Sequence, residues 1–138
     1  MIDENDVVNA VAAHLERQGF QIREKRLTTE HGIDLIADHP ATGTKILVEA
    51  KGGTSSRRGS NRYGKPYTQS QVLDRVSKGF YTVAALHASR RDPDRERVAL
   101  AIPETKDFIR YGNDVKPITK PLGIQILMVK DDGTVYEL

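Results

Sequence analysis

Apolar residues repeat at helical spacing near the start of the chain, at Val7, Val8, Val11, Ala12 and Leu15. They follow an Asp3 or Asn5 able to cap a helix and acids suited to its first turn. Gly19 marks the end of that helix. Phe20, Ile22 and Leu27 then alternate with polar residues, predicting a strand that runs into a loop over 28–32. Two β-rich runs, 33–38 and 45–51, flank a turn containing Pro40 and Gly43 and read as a hairpin. A second helix is expected over 67–87, with Val72, Leu73, Val76, Phe80, Val83 and Ala84 on its apolar side and Gly79 as a tolerated interruption. Residues 98–102 form a continuous apolar strand, Pro103 and Glu104 open a short helix through Phe108 and Ile109, and a strand over 124–129 precedes a turn at Asp131, Asp132 and Gly133. Strands alternating with helices predict the α/β class, as a three-layer α/β/α sandwich around a central mixed β-sheet.

The chain has 138 residues, 38% of them hydrophobic, with no Cys and no Trp. That is enough for one domain over 1–138 with an ordinary apolar core. Thiol catalysis and every Cys-based metal motif are excluded. No run approaches the ~20 apolar residues of a transmembrane helix, and residues 1–6 are acidic where a signal peptide is basic. The expectation is a cytoplasmic protein with no membrane partner. A net charge of +2 conceals an uneven distribution. Residues 51–91 hold nine basic side chains against one acid, Asp74, or +8, which leaves the remainder at −6. His14, His31, His39 and His87 have no zinc-site spacing, and there is no P-loop, dinucleotide Gly motif or nucleophile elbow.

The hairpin changes the picture most. Alternation places Glu49 on a face with Leu47 and Lys51, and Asp34 on a face with Ile36, while Ile46, Val48 and Ala50 take the other side. With Asp38 opposite Lys45, antiparallel pairing sets Ile36 against Leu47 and Asp34 against Glu49. Opposed Cβ atoms lie about 4.5–5.5 Å apart, where two carboxylates either repel or grip one divalent cation. Hard oxygen donors suit Mg²⁺ or Mn²⁺, and the Lys51 ammonium could orient a water or offset charge on a phosphoryl group. Each residue alone has a plain structural explanation, as a strand end or an ion pair; their joint placement among Ile, Leu, Val and Ala argues for a site.

Gly32-Ile33-Asp34-Leu35-Ile36, then fourteen residues, then Glu49-Ala50-Lys51, with a helix before and a helix after, resembles the PD-(D/E)XK nuclease superfamily. The resemblance spans about 3–102 and implies the restriction-endonuclease-like core, in the order αβββαβ, with 103–138 adding a helix and strands. It implies a metal-dependent phosphodiesterase in which Asp34, Glu49 and the Ala50 backbone carbonyl bind Mg²⁺ or Mn²⁺ and Lys51 acts on the water or the phosphate. Ile33 departs from the Pro of the family's name. Many members, including archaeal Holliday junction resolvases, add an acid from the first helix, for which Glu4 and Asp6 are candidates, with Glu16 further along. Gln69 and Gln71 are candidate accessory residues, since a related Gln sits near the active site in some members. Dimers that cut two strands are common in such enzymes, so a homodimer is expected.

Residues 52–66 form a long basic loop in which Arg57, Arg58, Arg62 and Lys65 stand in a Gly and Ser framework with Tyr63 interleaved. This composition suits a mobile loop that binds the DNA backbone, because each neutralised phosphate releases counterions. The expected function is an endonuclease hydrolysing DNA phosphodiester bonds. The alternatives are a non-catalytic nucleic-acid-binding module or subunit on the same fold, and a plain scaffold domain.

Overall fold

The computed structural model describes residues 2–27, 32–55, 59, 61 and 63–138. The elements are α1 (Glu4–Arg17), β1 (Gln21–Lys25), β2 (Leu35–Asp38), β3 (Lys45–Ala50), α2 (Gln69–Ala88), β4 (Glu96–Pro103), α3 (Lys106–Leu122), β5 (Gln125–Val129) and β6 (Val135–Glu137). One six-stranded sheet runs in chain order from β1 to β6. Strands joined by short connections pair antiparallel; β3, β4 and β5, joined through α2 and α3, pair parallel.

Val7, Val8, Val11 and Leu15 of α1 cover one face of the sheet, against Leu35, Ala37, Ile46, Val48 and Ala50. Helices α2 and α3 cover the other through Val72, Val76, Val83 and Phe108, against Val98, Leu100, Ile102, Ile126 and Met128. This is the expected mixed-sheet sandwich, with αβββαβ extended by α3, β5 and β6. The apolar run of β4 is continuous because this strand is buried on both faces. Asp38 pairs with Lys45 and Ile36 with Leu47, the register read from the hairpin. Asp3, not Asn5, caps α1.

Four expectations change. Leu73 is 46% exposed: the buried line of α2 runs through Val72, Val76, Gly79 and Val83, and Leu73 lies one residue, about 100°, off it. Helix α3 continues to Leu122 instead of ending near Ile109, although Pro117 and Pro121 lie inside it. Both prolines and Asn113 lie on the exposed side, where water can take the carbonyls that the missing N–H groups leave unpaired.

Gly79 is a contact point of α2 rather than an interruption. A Cβ there would stand 2.7 Å from Leu100 Cδ1 and 3.5 Å from Lys51 Cγ, so its absence lets the helix settle on β4 and on the stem of Lys51. The basic loop also has an ordered base: Gly52, Gly53 and Thr54 are buried. The Gly53 amide donates to Ile2 O at 2.9 Å and the Tyr67 amide to Gly53 O at 3.1 Å. A Cβ on Gly52 would collide with the Glu4 backbone nitrogen and lie 2.6 Å from the Asp3 carbonyl carbon. Gly52 thus permits the start of α1 to rest against the end of β3.

Gly52→Ala forces backbone apart from backbone and is expected to destabilise the fold by about 1–3 kcal/mol. Urea or thermal unfolding measures this, and an unchanged midpoint would show that the α1 start is not held by this contact.

Candidate active site

Asp34 stands immediately before β2. Its backbone carbonyl accepts from the Arg26 amide at 2.8 Å, and its side-chain Oδ2 accepts from the Ala50 amide at 2.8 Å. The recorded ladder begins with Leu35 opposite Val48, so one further step brings Asp34 level with Glu49, and the side-chain bond to Ala50 continues the pairing where the strand proper stops. On the other side of β3, the Lys51 amide donates to Ala101 O at 2.9 Å. The end of β3 is therefore held from both neighbours.

Asp34 is only 9% exposed. Burial pushes its carboxyl up to about 7; the Ala50 N–H opposes this, while the charges of Glu49 and Glu4 and a hydrogen bond shared with Glu49 raise it further. Glu49 Oε1 lies 3.0 Å from Lys51 Nζ, with both side chains largely buried. Glu4, in the first turn of α1, has its carboxyl raised by burial, lowered by Lys51, raised by Glu49 and lowered by Arg75. Asp34, Glu49, Lys51 and Glu4 are thus brought within electrostatic reach at one end of the sheet.

Other candidates fall elsewhere. Asp6 completes a capping box, accepting from the Asp3 amide at 2.9 Å while its own amide donates to Asp3 Oδ1 at 2.9 Å. Glu16 is exposed. Gln71 accepts from the Thr68 amide at 2.9 Å in the cap of α2, and Gln69 is exposed beside it. Tyr63 and Lys65 are exposed, and Ser55 bridges to Tyr63. Arg57, Arg58, Arg62 and His31 lie outside the described residues. Two residues beside the site carry little signal in the sequence: Gly52, following Lys51, reads as loop, and Arg75 reads as one charge among many, though it lies four residues from both Gln71 and Gly79 and so on their helix face.

Among the described residues no group of three or more His, Asp or Glu side chains converges tightly enough to hold a metal ion. The donor set that is present, a pair of confronted carboxylates with proton affinity raised on Asp34, is hard and anionic. It suits a divalent cation of the Mg²⁺ or Mn²⁺ kind. Ala50 reaches Asp34 through its N–H and occupies one of the two Asp34 oxygens.

A sequence profile for a restriction endonuclease family (Mrr_cat) matches residues 1–69, half of the chain. The chain belongs to this restriction endonuclease family. The matched half of this endonuclease homologue covers α1, the three strands β1–β3 and the basic loop, so it contains Glu4, Asp34, Glu49 and Lys51. The resemblance to PD-(D/E)XK nucleases and the restriction-endonuclease-like fold both stand with it. No curated protein matches the chain. Among solved structures it is similar to calcium-bound SfsA of Pyrococcus furiosus, at 15% identity and a TM-score of 0.39, over 97% of this chain and 58% of that one.

The raised Asp34 carboxyl sets a pH dependence. Between the unfolded value of about 4 and the folded value the native state holds a proton that the unfolded state releases, so this group's stabilisation is present at low pH and lost as pH rises through about 7. In EDTA, Asp34→Asn keeps an oxygen for the Ala50 amide and removes the charge. Its melting temperature is expected to fall less than wild type between pH about 5 and about 8. Parallel pH profiles of the two proteins would show that Asp34 is not the titrating group.

Proposed function

We propose that this chain is a metal-dependent endonuclease that hydrolyses DNA phosphodiester bonds, with Asp34, Glu49 and Lys51 as its catalytic residues. The observation that carries the reading is the buried confrontation of Asp34 and Glu49 with Lys51 paired to Glu49 at 3.0 Å. Two anions so placed destabilise a sheet unless a proton or a cation is held between them. Asp34, Glu49 and the Ala50 carbonyl are the residues that would hold Mg²⁺ or Mn²⁺; of the two α1 acids, Glu4 adds its charge from within electrostatic reach rather than as a third ligand, and Asp6 is engaged in the cap. Such a cation, when bound, supplies Lewis-acid polarisation of a phosphoryl oxygen and lowers the pKa of a bound water.

The chain's own groups supply positioning. Hydrolysis adds a water oxygen to phosphorus and breaks a P–O bond, the water's proton ending on the departing oxygen or in solvent. The Lys51 ammonium, fixed by Glu49 and by its stem against Gly79, sits where it can hold that water or the phosphate oxygens as negative charge grows on them. Lys65 and Tyr63 are exposed on the loop that also contains Arg57, Arg58 and Arg62, and this loop would follow the DNA backbone. Gln69 and Gln71, at the start of α2, are left with capping and accessory roles. We further place the enzyme in the cytoplasm and as a homodimer. Two strands need two such sites, and the exposed Ile118 and Leu122 of α3 offer an apolar strip for pairing. Among the described residues no helix is long and apolar enough to cross a membrane.

With labelled duplex, branched and single-stranded DNA in Mg²⁺ or Mn²⁺, Asp34→Ala and Glu49→Ala are expected to lose about 10³-fold or more in cleavage and Lys51→Ala about 100-fold. Full activity of either carboxylate variant would overturn the reading, and DNA binding without any cleavage by the wild type would leave a binding module. Charge reversal of Arg57, Arg58 and Arg62 is expected to weaken DNA binding and to flatten its salt dependence by about one slope unit per lost phosphate contact. Unchanged affinity and slope would remove the loop from the DNA interface.

A further inference from the structure

One face of α2 carries Gln71, Arg75 and Gly79 at four-residue intervals. Gly79 meets the stem of Lys51 and Gln71 closes the cap. Arg75, between them, is half-buried. Its guanidinium carbon lies 4.9 Å from the centre of the Tyr67 ring, and Nη2 donates to Tyr67 Oη at 3.3 Å. Among the described residues it forms no ion pair: its neighbour Asp74 pairs with Lys78 at 3.1 Å, and the carboxylate of Glu49 is taken by Lys51. Tyr67 is itself fixed, because its amide is bound to Gly53 at the base of the basic loop.

A guanidinium oriented by a ring and a hydroxyl, with the charge of Glu4 in reach but no carboxylate at ion-pair distance among the described residues, retains N–H donors in a rigid fork. That fork matches two oxygens of one phosphate. Stability explains the arrangement only in part: the charge of Glu4 is in reach of Arg75, but among the described residues no direct ion pair offsets the partial burial of its guanidinium. Position explains it better: the residue stands one helical turn from the glycine that touches Lys51, beside the loop with the densest positive charge.

We propose that Arg75, oriented by Tyr67, binds a backbone phosphate of the nucleic acid next to the one addressed by Lys51, with Tyr67 as its positioning residue. This rests on the nuclease reading for the identity of the ligand as a DNA strand.

The test measures binding of fluorescently labelled duplex DNA in EDTA over a series of salt concentrations, and cleavage kinetics in Mg²⁺. Arg75→Ala is expected to weaken binding about 10-fold and to lower the salt slope by about one. Arg75→Lys keeps the charge and loses the fork, so the slope stays while KM rises. Tyr67→Phe keeps the ring and removes the hydroxyl, raising KM with kcat within about twofold of wild type. Wild-type KM in Arg75→Lys, or an unaltered slope in Arg75→Ala, overturns the assignment. Should wild type fail to cleave while the slope still falls in Arg75→Ala, the nuclease reading is lost and the phosphate contact of Arg75 stands; cleavage by wild type with an unaltered slope removes Arg75 alone.

Discussion

The hydrogen bond from the Ala50 amide to Asp34 Oδ2 is the joint on which the site depends. A buried backbone N–H must have a partner, and at this point β2 has not yet begun, so a carboxylate takes the place of a strand carbonyl. That choice fixes the end of β3. Since neighbouring amides along a strand point to opposite sides, Ala50 is tied to Asp34 and Lys51 to Ala101. It also places an acid where water is scarce. One neutral N–H offsets only part of the desolvation of a carboxylate, and Glu49, the residue level with Asp34, adds repulsion. The ammonium of Lys51 is committed to Glu49. Asp34 is thus left without a cation among the described residues, and its raised proton affinity is the direct result.

The parts of this arrangement that obey local rules were legible in the sequence. Alternation of apolar residues and a Pro and Gly turn fix the β2–β3 register, so the confrontation of Asp34 with Glu49 follows from counting along the hairpin. The choice between Glu4 and Asp6 was open to the same kind of reasoning. Once Asp3 is the cap, Asp6 is the third helical residue and the reciprocal partner of a capping box, which leaves Glu4 as the first-turn acid with no local task. What could not be read were the close approaches. Gly52 and Gly79 look like loop and blemish because a missing side chain carries no pattern; only the packed structure shows that Glu4 and Lys51 reach the site across them. The length of α3 was hidden for the opposite reason: Pro117 and Pro121 carry a strong local signal, which an exposed helix face tolerates.

The overall charge of +2 averages over a +8 stretch and a −6 remainder. Around the site, three carboxylates (Glu4, Asp34 and Glu49) face two cations, Lys51 and Arg75, for a formal charge of −1. A proton on Asp34 brings the sum to zero, and this is the state that its raised affinity favours. On the proposed function a divalent cation displaces that proton and turns the sum to +1, the sign a phosphodiester needs. On that reading the phosphate addressed by Lys51, the one nearest the carboxylates, is held more weakly by the charged, metal-free site than by the filled one, while the neighbouring phosphate at Arg75 binds in either state. Cation and DNA must then strengthen each other's binding by the same factor, because linkage between two ligands on one protein is reciprocal. On the proposed function the basic stretch from Lys51 onward, Arg75 included, would bring DNA to the protein whether or not the site is filled, whereas the carboxylates at the end of β3 would make its approach to the reacting position conditional on the cation.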